Sequence, residues 1–205
     1  MKRQSRLVIV LLCLIWIAAC SHVQGYLDIA KVKGMSGAYL QALKYWTRSQ
    51  TVYSQFETKV HIEATLRSPE FNSAYLQEYS RIYQLSSDEQ KRWEEMRAVE
   101  ASESTEFIFY AYIPNKIEND FDRRGSIWSI FLINKKGERI KPSEVRRIEP
   151  ITTVVTEFFP YGNPHYGIFY RLCFSHHERT GRIDGPLRLV FNSVNGKVEL
   201  EFEGQ

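Results

Sequence analysis

Apolar and polar residues alternate along the chain from Val52 to Arg67. Val52, Phe56, Val60, Ile62, Ala64 and Leu66 fall on one face, and Tyr53, Glu57, Lys59, His61, Glu63 and Thr65 on the other. A period of two is that of a half-buried strand, so 52–66 is expected as one long strand. Before it, Tyr39, Leu40, Leu43 and Trp46 recur at helical spacing and predict a helix over 36–47. After it, Ser68-Pro69 reads as an N-cap followed by proline at the first helical position, and Phe71, Tyr75, Tyr79 and Ile82 make one stripe of a helix over 69–83. Ser86 and Glu89 match a capping box and open a helix over 87–101 that carries Trp93, Met96 and Val99. These two helices are expected to form a hairpin over the sheet or over one end of it.

The rest of the chain reads as strands between turns. Apolar runs cover 105–113, 126–134, 151–159, 166–175, 187–192 and 197–203, with hairpin signals at Lys135-Lys136-Gly137 and Asn195-Gly196. The last run alternates cleanly, Val198, Leu200 and Phe202 against Glu199, Glu201 and Glu203. Seven strands at this spacing predict a mainly β fold. The expected form is an antiparallel β-sandwich, immunoglobulin-like, with the helical hairpin inserted after the first strand. The alternative is a small lipocalin-like β-barrel. Residues 36–205 are expected to form a single globular domain.

The N-terminus obeys a different pattern. Lys2, Arg3 and Arg6 precede an uncharged run from Leu7 to Ala19, and Ala18-Ala19 lead into Cys20. That is the layout of a secretory signal peptide. As a helix the run spans about 20 Å, short of the roughly 30 Å hydrocarbon core, which disfavours a transmembrane anchor. Ile17-Ala18-Ala19-Cys20 resembles the lipobox of bacterial lipoproteins. The resemblance implies cleavage of residues 1–19, diacylglycerol on the Cys20 thiol and commonly a third acyl chain on the new amino group. Two or more chains hold a protein to a bilayer without further help. Ser21, by the proteobacterial sorting rule that this region resembles, favours the periplasmic face of the outer membrane where the organism has one. Residues 20–35 then serve as a short tether, too apolar at Val23, Tyr26, Leu27, Ile29 and Val32 for a flexible linker.

Charge changes the picture once the leader is set aside. The chain has 27 Lys plus Arg against 24 Asp plus Glu, and three of the cations lie in the leader, so the remainder is formally neutral. A neutral, exported body argues against nucleic acid as a partner. Of the three cysteines, Cys13 lies in the leader and Cys20 is the lipidation site. That leaves Cys173 without a disulfide partner, expected as a small buried hydrophobe.

Candidate chemistry is sparse. His176, His177 and Glu178 supply two imidazoles and a carboxylate of a kind that ligates zinc, with His165 as a conceivable third imidazole. The two histidine positions, however, flank one expected strand and should lie at its opposite ends. Asn119, Asp120 and Asp122 carry oxygens suited to calcium but lack the EF-hand spacing, and are expected as an acidic, solvated turn before the strand at Ser126. His61 stands between carboxylates with no nucleophile indicated nearby. The doublets Arg123-Arg124, Lys135-Lys136 and Arg146-Arg147 are expected in separate solvated loops, where contact with phosphate headgroups is the alternative reading. Phe158-Phe159-Pro160-Tyr161 and His165-Tyr166 form an aromatic stretch suited either to the core or to a contact surface. No nucleophile elbow, zincin pair or phosphate-cradling glycine loop occurs. The expected role is therefore a non-catalytic binding or assembly module at a membrane surface, with an envelope protein as partner and no cofactor. The alternatives are a metal-dependent hydrolase built on the His-rich loop and a carrier or chaperone of an apolar ligand.

Overall fold

The structure, a computed structural model, describes residues 34–176 and 185–203. The leader 1–19, Cys20, the tether as far as residue 33, and His177 and Glu178 lie outside the described residues. Ser36 opens the first helix. Its hydroxyl accepts the Tyr39 N–H at 3.2 Å and caps α1, Gly37–Trp46. Tyr39, Leu43 and Trp46 are the buried side of that helix.

Thr47 leaves α1 directly into β1, Thr47–Ser54, and β2 follows as Glu57–Leu66. The single strand expected over 52–66 is therefore a hairpin. Gln55 and Phe56 hold φ of 50° and 69°, and Ser54 pairs with Glu57 across them. Both values belong to a two-residue turn whose twist suits paired strands. The two-residue turn by itself inverts the alternation of faces, pairing Ser54 with Glu57 and Tyr53 with Thr58, but a register shift between Val52 and Tyr53 restores it, so that Val52 pairs with Val60 and the periodicity alone could not reveal the reversal. Phe56, assigned to the apolar face by that pattern, is fully exposed at the turn.

Ser68 then caps α2, Pro69–Tyr83, accepting the Phe71 N–H at 3.1 Å, and Ser86 and Glu89 form the reciprocal capping box of α3, Ser87–Glu103. The chain returns to the sheet as β3, Ser104–Tyr112, followed by a 3-10 turn at Lys116–Glu118. Next come β4, Ser129–Ile133, and the short β5 and β6, Arg139–Ile140 and Glu144–Arg147. Then follow a helix α4, Thr153–Phe158, and β7 to β9, Ile168–Ser175, Leu187–Ser193 and Gly196–Phe202. The run 151–159, expected as a strand, is largely α4. Its β-branched residues favour a strand, but the end of the helix is pinned by tertiary contacts. The Tyr39 hydroxyl donates to the Phe158 carbonyl at 2.6 Å, and the Phe158 ring lies 4.4 Å from that of Tyr75.

The strands make two antiparallel sheets, ordered β1-β2-β3-β7-β6 and β5-β4-β8-β9. The fold is mainly β, and among the described residues no pairing closes the sheets into a barrel. Val60, Ile62, Phe107, Phe109 and Leu172 of the first sheet are fully buried, as are Leu189, Phe191 and Val198 of the second. Phe107 meets Phe202 at 5.2 Å and Phe109 meets Phe191 at 5.1 Å, so inward residues of the two sheets interdigitate. The other face of the first sheet is covered by helices and by the segment after α4. There Tyr161 bonds Thr65 at 2.9 Å and the Ile108 carbonyl at 3.3 Å. Gly162 lies so close that a Cβ would stand 2.2 Å from the Phe169 ring. Cys173 is buried on β7, and burial pushes its thiol up to about 11.

Candidate binding surfaces

The residues singled out for chemistry are mostly occupied in holding the fold. His176 places Nε2 2.9 Å from the Thr105 hydroxyl and Nδ1 2.9 Å from the Ser102 carbonyl. Both ring nitrogens thus stitch the end of β7 to the α3–β3 junction. His165 precedes β7 and His176 follows it, so they stand at opposite ends of that strand. Among the described residues no three metal-ligating side chains stand together.

Asn119, expected in a solvated turn, is buried: its amide donates to the Ala111 carbonyl at 2.9 Å and its own carbonyl groups accept from the Tyr170 hydroxyl. Asp120 accepts from Ser126 at 2.9 Å and Asp122 pairs with Arg147 at 3.6 Å, which ties their carboxylates into the loop. Arg146-Arg147 lies on β6 rather than in a loop, while Arg123-Arg124 and Lys135-Lys136 are exposed. His61 does acquire a hydroxyl neighbour, Thr51 Oγ1 at 2.7 Å from Nδ1, with Glu63 3.6 Å from Nε2. This cross-strand trio lies on the flat face of a sheet. It borders none of the depressions described below, and its contacts tie β1 to β2.

Two surfaces remain that packing does not account for. The first is the helical hairpin. α3 is a helix of 17 residues with no buried side chain. Its attachment is local: Trp93 stacks on Tyr79 at 5.1 Å, and Tyr79 in turn lies 4.3 Å from Tyr83. Met96, Val99, Ile82 and Tyr83 are exposed. Between the helices runs a groove of about 380 Å³ with an apolar floor of Pro69, Leu76, Ala98 and Ala101 and polar walls that include Asn72, Glu94 and Arg97. α3 carries six carboxylates against three cations. A larger depression, about 740 Å³, is walled by Arg48, Arg188, Glu199 and Glu201, whose mixed charges give it a polar lining.

The base of the hairpin is fixed by buried charge. The Arg67 guanidinium follows β2, lies against the Tyr75 ring at 5.0 Å and donates to Asn72 at 2.6 Å. Glu106 on β3 stands 4.0 Å from it and accepts from Arg171 of β7 at 2.8 Å. Burial holds the Arg67 pKa below the usual guanidinium value, against the opposing pull of Glu106. At the other end of α2, buried Glu78 accepts from the Ser36 N–H at 2.8 Å and from Arg81 at 2.6 Å. Burial raises its carboxyl pKa, but these hydrogen bonds outweigh that and hold it below the usual value.

The second surface is one end of the sheet pair, the rim where β1 turns into β2 and β8 into β9. Asn195 donates to Glu118 at 2.6 Å, and Glu57, Lys59, Asn115, Glu118 and Asn195 border one depression, so three connections meet there. The segment entering β7 joins them, because the Tyr110 hydroxyl donates to the Asn163 carbonyl at 3.0 Å. Each connection exposes a large apolar or aromatic side chain: Tyr53 and Phe56, Ile117 and Ile127, Tyr166, and Val194. Phe56 is fully exposed, Val194 93% and Ile117 79%. Phe56 also holds a left-handed φ that costs a residue with a Cβ about 1–2 kcal/mol, which no contact of its ring repays.

The aromatic stretch read from the sequence therefore divides. Phe158 and Phe159 are core, while Tyr166 stands out at the rim. The exposed residues of the rim were missed because each is alone in its local sequence, and only the fold gathers them. Searches among protein-family models, curated proteins and solved structures find no match to this chain.

Proposed function

We propose that this protein is a non-catalytic binding or assembly module of the cell envelope. On this reading it is held at a membrane surface by lipid on Cys20 and engages an envelope protein through its helical hairpin. In the same reading the two sheets are a sandwich of the immunoglobulin-like class. Support for that class comes from the interleaved aromatic rings and from a chain that crosses between sheets after β3, β5 and β7. The observation that carries the binding role is α3, a helix of 17 residues with no buried side chain beside an apolar groove. A helix of that length draws its stability mainly from a buried face, and this one has an unburied face to offer. Its excess of carboxylates fits an amphipathic partner segment with basic flanks, laid helix-in-groove.

Site-specific photocrosslinkers at Glu94 and Ser102, which line the groove, test this in cells that make the lipidated chain. One reproducible protein adduct is expected from both positions, and it should disappear when Ala98→Trp fills the groove while circular dichroism stays unchanged. Adducts to bulk lipid alone, or an adduct indifferent to Ala98→Trp, would remove the hairpin as the partner site.

A further inference from the structure

From the rim, independently of the hairpin, we infer that this end of the sheet pair is a membrane-contact surface whose apolar tips enter the headgroup region of an anionic bilayer. Four separate connections converge there, and each ends in an exposed side chain, with Phe56, Ile117, Tyr166 and Val194 the outermost of its turn. The tips are isolated by polar backbone and by residues such as Glu57, Asn115 and Asn195. A protein interface of ordinary strength has a contiguous, packed apolar centre, which separate tips do not provide. A bilayer interface accommodates them individually, because an apolar side chain enters about 5–10 Å between headgroups without requiring a complementary shape.

Charge at the rim points to the same occupant. Lys116, Arg123 and Arg124 are exposed on the β3–β4 connection. The acids of that connection are engaged within the protein: Glu118 accepts from Asn115 and Asn195, Asp120 from Ser126, and Asp122 pairs with Arg147. Cationic side chains beside apolar tips complement anionic headgroups. The Gln55-Phe56 turn adds an observation of its own. Glycine or asparagine would suit both positive φ values, yet a phenylalanine is held there with its ring in water. Fifteen residues of chain lie between Cys20 and Ser36, a maximal reach of about 55 Å, so an anchor at Cys20 does not prevent the rim from meeting the same bilayer. The acyl chains retain the protein at the membrane, and the rim sets which way it faces.

The test uses the lipidated full chain in vesicles of phosphatidylethanolamine and phosphatidylglycerol, with Phe56→Trp as a probe and Val99→Trp as the control on α3. Relative to the parent protein, Phe56→Trp is expected to add blue-shifted emission that brominated acyl chains quench, and Val99→Trp is not. Replacing both Arg123 and Arg124 by Glu in the Phe56→Trp background should cut that quenching at least twofold. The same loss is expected in vesicles of phosphatidylcholine alone. Emission from Phe56→Trp typical of water, quenched no more than Val99→Trp, would overturn the inference. So would a photocrosslinker at Phe56 that captures a defined protein in place of lipid. Quenching that ignores both the arginine replacements and the headgroup charge would overturn the electrostatic part.

Discussion

The rim and the hairpin both expose apolar side chains, but they do so by opposite means. On α3 the apolar positions Ala98 and Ala101 recur at helical spacing along a groove floored also by Pro69 and Leu76, while exposed Met96 and Val99 face away from it. At the rim they come from four connections far apart in sequence, one of them held in a left-handed conformation. A stripe with a groove suits a shaped partner segment, whereas isolated tips beside cations suit a fluid surface. The two regions also differ in how they are secured. The hairpin depends on buried ions at its base, and the rim on strand pairing that needs none of its exposed rings.

The largest effect should come from the base of the hairpin. Arg67→Ala leaves Glu106 with Arg171 alone and empties the space against Tyr75, and is expected to cost about 3–5 kcal/mol in urea unfolding. Loss of a few tenths of a kcal/mol only would mean the hairpin is secured by something else. Next, Glu78→Gln should cost about 1–2 kcal/mol, because a neutral amide oxygen accepts from the Ser36 N–H more weakly than the buried carboxylate does, while Arg81, half exposed to water, adds little. The effect has a definite pH dependence. The Glu78 carboxyl pKa is lower folded than unfolded, so its contribution is complete above the unfolded value of about 4.3 and is lost as pH falls through the folded value. Parent and variant should therefore converge in melting temperature in strong acid, and a gap that widens there would contradict the assignment.

At the rim the sign reverses. Phe56→Gly removes a strained ring without removing a contact, and should stabilise the fold by about 1 kcal/mol while reducing vesicle quenching measured from a probe at Val194. A destabilised Phe56→Gly would show that the ring packs after all. The smallest global effect is expected for Trp93→Ala, within about 1 kcal/mol of the parent in thermal unfolding, because Trp93 is only half-buried and α3 has no fully buried side chain. Its signature is local: loss of the stack on Tyr79 should speed amide exchange along α3 by up to about tenfold, with the sheets unaffected.

Much of this comparison was legible along the chain. Ser68-Pro69 and the Ser86–Glu89 box mark the helix starts, since capping is decided by the residues that make the caps. Alternation in Val198 to Phe202 marks the last strand for the same local reason. The β1–β2 turn was not legible, because Gln-Phe carries no turn signal and the register shift beside the turn restores the alternation that the turn inverts. Nor was α4, whose Thr153–Phe158 favours a strand until Tyr39 and Tyr75 hold its end. Asn119 looked like part of an acidic turn because burial is a property of what lies above a loop, which the loop itself does not encode.

The sequence by itself determined the periodic elements, the capped helices and a formally neutral body behind a leader whose last residues resemble a lipobox, because each is written in neighbours a few positions apart. Tertiary structure alone decided that Arg67 and Glu106 meet under the hairpin. It also decided that Phe56, Ile117, Tyr166 and Val194 share one end of the molecule. Those juxtapositions depend on strand order and register, which arise from how two sheets bury their inner faces against each other and leave no local trace in the chain.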